Sequence, residues 1–224
     1  MARVTVLIDD IIKLSQASIS GEPKPSKVAA LCDLAGAGGV AVQIKDGDIT
    51  PERERIIKGL KEVLGIPLAL IIPADNRAVE KAIDLAPSMV MLADVIPGDS
   101  DYVSRLQVAN IIVAIEISPD LDQVKAAAKM KADYIAIDVS SYCTEKNLSA
   151  RVDILNRISK VAALAERLNI GVIIIGPITL TDIAKLAEIE AIEDFFIGHA
   201  IISKAIMFGL EDAIAEFKSE INRF

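Results

Sequence analysis

The sequence predicts a single α/β domain, residues 1–224, closed as a (β/α)8 TIM barrel, and three observations carry that reading. Eight short apolar runs alternate with helical segments, the order that requires parallel strands joined by helical crossovers. The composition is 52% hydrophobic but only 4% aromatic, so Ile, Val, Leu and Ala must build the core, as in buried parallel strands covered by helices. The fourth, fifth and sixth strands begin at Ser88, Asn110 and Asp133, an even spacing of about 22 residues that leaves no room for a second domain. A closed barrel fits eight such strands in 224 residues better than an open sheet does.

The elements follow in order. Val4 to Asp9 reads as the first strand, ending in the acids Asp9 and Asp10. A looser segment is expected after it, up to the helix-breaking run Gly21-Glu22-Pro23-Lys24-Pro25. Ser26 is expected to cap a helix to about Leu34, closed by Gly36. Gly39 to Ile44 is the second strand. Thr50-Pro51-Glu52 starts the next helix, with a capping residue and then Pro at the first helical position, and Gly65 ends it.

Pro67 to Ile72 is the third strand, Asp75 or Asn76 caps a helix to Ala86, and Ser88 to Ala93 is the fourth strand. A helix from Ser100 to about Val108 precedes the fifth strand, Asn110 to Ile117. Ser118-Pro119 opens a helix to Lys131, and Asp133 to Asp138 is the sixth strand. The longest helix runs from about Ser149 to Leu168, with Asn147 read as a cap rather than a glycosylation acceptor. Gly171 to Ile175 is the seventh strand, stopped by Gly176-Pro177, and Thr179 or Thr181 caps a helix to about Ile189. The eighth strand, Phe195-Phe196-Ile197, stops at Gly198. A short helix follows, and a second begins near Met207 and runs towards Glu220.

Composition narrows the function classes. A net charge of −8 and a pI near 4.8 leave no basic stripe to neutralise phosphates, which excludes nucleic acid as a partner. No apolar stretch reaches the roughly 18 residues needed to span a bilayer, and the N-terminus lacks a basic region before a cleavable apolar one. A cytoplasmic protein with no membrane partner is expected. Cys32 and Cys143 lack metal-ligand spacing and read as reduced thiols. No cofactor is assigned.

In such a barrel the reactive groups sit at the carboxyl ends of strands. Those positions offer Asp9 and Asp10, Gln43 and Lys45, Asp94, Glu116, Asp138 with Ser140 and Ser141, Gly176, and Gly198 with His199. Asp9, Glu116, Asp138 and His199 are the candidate catalytic residues. Gln43, Lys45, Gly176, Gly198 and His199 are the candidate ligand-binding ones. Gly198 feeds a strand directly into a helix N-terminus, where unpaired N–H groups and the helix dipole suit an anion. The bland alternative is a tight turn and nothing more. For His199, either the ring serves as acid and base or only its backbone N–H matters. Lys45 either meets an anionic ligand or is a solvated loop lysine. Asp9, Glu116 and Asp138 are oxygen donors of the kind Mg²⁺ takes, but without motif spacing, and no metal is assigned.

Ile197-Gly198-His199-Ala200-Ile201-Ile202, followed by Ala205 to Leu210 and Asp212 to Glu216, resembles the C-terminal signature of the pyridoxine 5′-phosphate synthase family. Val6-Leu7-Ile8-Asp9 and Gln123 to Ala127 are similar to further stretches of it. The resemblance implies a (β/α)8 barrel that forms homo-oligomers. It also implies condensation of 1-deoxy-D-xylulose 5-phosphate with 3-amino-2-oxopropyl phosphate, and a ligand phosphate held at Gly198 and His199. The same resemblance exposes departures. Where the family has glutamates on strands three and six, this chain has Ala69 and Ala136. Gln43 and Lys45 stand for a His and an Arg, Asp138 for a His, and Gly176-Pro177-Ile178 for Gly-His-Gly. A small phosphorylated ligand with a rebuilt reactive end is therefore expected. A non-catalytic phosphate-ligand-binding module or a structural paralogue is the alternative.

Overall fold

The computed structural model describes residues 2–44, 50–95 and 100–223. Eight parallel strands close into a barrel in chain order, β1 through β8, with β8 pairing back onto β1. The elements are β1 Arg3–Leu7, α1 Asp9–Ala17, α2 Pro25–Leu34, β2 Gly39–Gln43, α3 Pro51–Val63, β3 Leu68–Pro73, α4 Asn76–Leu85 and β4 Met89–Ala93. They continue as α5 Ser100–Val108, β5 Ile112–Ile117, α6 Leu121–Lys129, β6 Tyr134–Asp138, α7 Ser140–Thr144 and α8 Leu148–Arg167. The last are β7 Gly171–Ile175, α9 Leu180–Leu186, β8 Ile192–Ile197, α10 His199–Phe208 and α11 Leu210–Ile221.

Three local expectations need correction. The looser segment after the first strand is the helix α1: Asp9 and Asp10 occupy its first turn, where carboxylates suit the dipole, and Ile11 and Ile12 bury its inner face. Ser26 does not cap α2. Pro25 takes the first helical position, Lys24 is the flanking residue, and no side chain caps the end. The fifth crossover helix starts at Leu121 with Asp120 as its cap, because the Gln123 side chain accepts from the Ser118 N–H and holds Ser118-Pro119 in the loop. Thr50, Asp75 and Asn147 cap as their residue types suggest, and Thr179 forms a capping box with Asp182.

The strands alternate, and the alternation makes two cores. Outward residues such as Val4, Val6, Val40, Val42, Ile135 and Phe195 pack beneath the helices. Inward residues fill the barrel: Ala41, Ala69, Ile71, Met89, Met91, Ala114, Ala136, Ile173 and Phe196. Bulky Met and Phe from some strands interdigitate with Ala from others, so the interior is a packed core and not a channel. An irregularity between β7 and β8 pairs Val172 with Ile192 but Ile173 with Asp194, passing over Glu193. Asp194 is thereby turned inward at the amino end of the barrel, with 3% of its surface exposed.

Candidate functional site

A cavity of about 880 Å³ opens at the carboxyl ends of the strands. Gln43, Glu116 and Asp138 reach it because each sits one pleat above an inward alanine: Ala41, Ala114 and Ala136. Asp9, Gly176, Gly198 and His199 join them from the loops and helix starts. Lys45 lies outside the described residues.

Gly198 ends the β8 segment and precedes α10. Its carbonyl accepts from the N–H groups of Ile201 at 3.0 Å and Ile202 at 3.2 Å. Among the described residues, no group accepts from the N–H of His199 or Ala200, and both residues line the cavity. Two free donors at the positive end of a ten-residue helix suit an anion. Glycine at 198 fits a close approach: a Cβ there would lie 3.0 Å from Leu7 Cβ and 3.4 Å from Leu7 O, tight enough that Leu7 would have to give way by a few tenths of an ångström. Gly176, at φ +151°, is needed for backbone reasons as well, and a Cβ on it would press within 3.3 Å of the Ser140 N.

The acids differ in what engages them. Asp9 accepts from the Gln43 N–H at 3.0 Å and from Arg53 Nη2 at 2.6 Å, and the same Arg53 nitrogen donates to the Gln43 carbonyl at 2.7 Å. Arg53 is 8% exposed, so this is a largely buried ion pair tying α1, β2 and α3 together at the rim. Burial raises the Asp9 pKa, with the Gln43 N–H and Arg53 pulling the other way. Asp138 accepts from the Ser140 N–H at 2.9 Å and the Ser140 hydroxyl at 2.6 Å, which fixes it over the start of α7.

Glu116 is the exception. Among the described residues no hydrogen bond or ion pair engages its carboxylate, and burial pushes its pKa up, with Asp138 and Asp94 adding to the rise. A half-buried acid of this kind can hold a proton and release it. His199 Nδ1 lies 3.0 Å from Asp10 Oδ2, and Lys13 Nζ lies 3.2 Å from the other oxygen. Among the described residues, no three His, Cys, Asp or Glu side chains converge on a point that could hold a metal ion.

Sequence reasoning missed two partners, Arg53 and the pairing of Asp10 with His199. In the sequence Arg53 is one of several charges on the helix that follows Thr50. Its only hint is its place three residues past the Thr50 cap, at the end of the helix nearest the barrel mouth. Ala69 is 3% exposed and Ala136 fully buried, both within the apolar interior beneath the cavity, whose floor carries Leu7, Ile71 and Ile175.

Comparison with known proteins agrees with this geometry. The model of the pyridoxal phosphate biosynthesis protein PdxJ matches residues 98–223. A pyridoxine 5′-phosphate synthase of Geobacter metallireducens is 32% identical over 96% of this chain and 97% of its own length. One of Syntrophobacter fumaroxidans is 27% identical over 99% of this chain and 100% of its own. Solved structures extend the likeness at the level of fold alone. KGPDC from Streptococcus mutans superposes with a TM-score of 0.73 at 15% identity, covering 99% of this chain and 98% of its own. Thiamine phosphate pyrophosphorylase from Pyrococcus furiosus does so with a TM-score of 0.67 at 16%, covering 99% and 96%. With the barrel closed, the match running through the Gly198–His199 turn, and nearly a third of positions identical along the whole length, the chain belongs to the PdxJ family of pyridoxal phosphate biosynthesis proteins.

Proposed function

We propose that this chain is a diverged enzyme of its family, which binds a small phosphorylated carbonyl compound in the barrel mouth. The phosphate sits on the Gly198–His199 turn and Glu116 carries a proton. The observation behind this reading is the pair of unpartnered amides, His199 and Ala200, at the start of α10 and on the wall of the cavity. Those amides and the helix dipole hold the phosphate against the unfavourable field of a chain with net charge −8. Fixing that end of the ligand sets the position of its carbonyl within the cavity, and such positioning lowers the entropic part of the barrier.

Divergence is supported by the alanines. A positioned proton carrier contributes about 10²–10⁴ in rate, and neither Ala69 nor Ala136 can supply one where the resemblance places glutamates. Gln43 can hydrogen-bond but cannot shuttle a proton. Glu116, with its raised pKa, is a half-buried carboxylate on the cavity wall with no internal partner among the described residues.

The test has two parts. Inorganic phosphate at constant ionic strength should raise the unfolding temperature progressively with concentration, as a ligand of the folded state does. No shift at any concentration would remove the phosphate turn from the reading. Incubation with 1-deoxy-D-xylulose 5-phosphate and 3-amino-2-oxopropyl phosphate should give no pyridoxine 5′-phosphate by mass spectrometry, and its appearance would refute divergence. A non-catalytic ligand-binding role is favoured by one observation, the internal engagement of Asp9 and Asp138. It replaces the enzyme reading if phosphate binds while Glu116→Gln changes no assayed turnover. A homo-oligomer belongs to the same proposal. Ile206, Met207 and Phe208 in the last turn of α10 are 77%, 74% and 59% exposed, with Met207 and Phe208 at the edge of the cavity, and light scattering should report more than one chain per particle.

A further inference from the structure

The rim of the cavity holds a second arrangement. His199, the sole histidine of the chain, opens α10, and Asp10 stands in the first turn of α1. Closure of the barrel between β8 and β1 brings these two helix starts together, although they lie 189 residues apart in sequence. The Nδ1 to Oδ2 distance is 3.0 Å, and Lys13 occupies the other carboxylate oxygen. The bond to His199 is the foremost influence holding the Asp10 carboxyl below its usual range. At neutral pH the Asp10 carboxylate is an anion that can only accept, so the proton in the contact is assigned to Nδ1. In the neutral ring, that assignment leaves Nε2 with a free lone pair. The ring is 85% exposed, and among the described residues nothing else bonds to it.

We propose that His199 and Asp10 form a proton-carrying pair. His199 Nε2 takes a proton from the carbon beside the carbonyl of the bound ligand, and Asp10 is the positioning residue that fixes the ring's tautomer. This rests on the reading above, because a phosphate anchored on the His199 N–H brings the ligand's carbon chain to the ring of the same residue. The C–H bond breaks and its electron pair moves through the carbon to the carbonyl oxygen, giving an enolate. The proton resides on Nε2, the imidazolium charge is offset by Asp10, and no oxidant or reductant is needed. Return of the proton to the enolate restores the neutral ring. Glu116 on β5 and His199 at the end of β8 then face the ligand from different walls.

A single histidine makes the test direct. Long-range ¹H–¹⁵N spectra of the full chain at a pH where the ring is neutral should report the Nδ1–H tautomer in the wild type. Asp10→Ala should revert to the Nε2–H form favoured by free imidazole, while Lys13→Ala, which touches only the other oxygen, should keep the wild-type pattern. Exchange of the C–H groups beside the carbonyl of dihydroxyacetone phosphate in D₂O, the simplest phosphorylated ketone probe, should fall about 10²-fold in His199→Gln and about tenfold in Asp10→Ala. An unchanged tautomer in Asp10→Ala, or wild-type exchange no faster than that of His199→Gln, overturns the pair. Thermal stabilisation by inorganic phosphate, retained in Asp10→Ala, separates this outcome from failure of the phosphate turn itself.

Discussion

Asp194 offers the sharpest stability test in the molecule. Its carboxylate is turned into the amino end of the barrel, where Oδ2 accepts from the Thr5 hydroxyl at 3.0 Å and meets Arg3 Nε at 3.3 Å. Among the described residues, the buried Oδ1 has no hydrogen-bond partner. Burial pushes the pKa from 3.8 up to about 6, a rise that Arg3 and Thr5 only partly oppose. The folded state therefore binds this proton more tightly than the unfolded chain. The contribution of Asp194 to stability is fully present below about pH 4 and is lost as pH rises through about 6. A rise of this size corresponds to about 3 kcal/mol in all, of which about 2 kcal/mol is expressed between pH 4 and pH 7.

Asp194→Asn keeps an oxygen to accept from Thr5 and removes the charge. Relative to the wild type, the variant should gain about 2 kcal/mol between pH 4 and pH 7, read from urea unfolding of both proteins at each pH. Other raised acids such as Asp9 and Glu116 are common to both proteins and cancel in the difference. A difference that stays flat within about 0.5 kcal/mol across that window would refute the reasoning, because the carboxylate would then be no worse off in the barrel than in water.

Three further outcomes follow from the site. Arg53→Met strands the Asp9 carboxylate beside the Gln43 amide and should cost about 3 kcal/mol in urea unfolding, with part recovered by adding Asp9→Asn. Glu116→Gln should lower turnover by about 10²–10⁴ in a steady-state assay. The same variant should be no less stable at pH 7, since it removes a carboxylate that burial and Asp138 disfavour. Asp182→Ala removes both the capping box with Thr179 and the ion pair with Arg151, and should cost about 2 kcal/mol by thermal unfolding.

What could be read from the chain divides by the range of the interactions involved. The barrel was legible because each buried strand announces itself locally, as Val4 to Leu7 and Gly171 to Ile175 do, and alternation alone turns Gln43, Glu116 and Asp138 inward. The helix α1 was hidden because Asp9 and Asp10 read equally well as the end of a strand and as the acidic first turn of a helix. A five-residue helix such as α7 carries too few residues to show a period. The partners of the acids lie further away, with Arg53 44 residues from Asp9 and His199 189 residues from Asp10. Nothing in either neighbourhood encodes the meeting; closure of the sheet does. The inward turn of Asp194 depends on one skipped residue, Glu193, in the pairing of β7 with β8, and two adjacent acids before Phe195 give no sign of which one the sheet will turn inward.

The two interior alanines limit what the barrel can accept. Ala69 and Ala136 share one buried apolar cluster with Met89, Met91, Phe196 and Ile173, and a longer side chain at either position would have to displace these neighbours. Placing glutamate at 69 or 136 today would crowd these neighbours and leave a carboxylate in oil, without water or a cation to receive it. Each reversal made alone is harmful, and only coordinated trimming of the surrounding chains would make it tolerable. A new proton carrier is therefore accommodated more easily at the rim, beside Gln43 and Asp138, than in the filled interior below it.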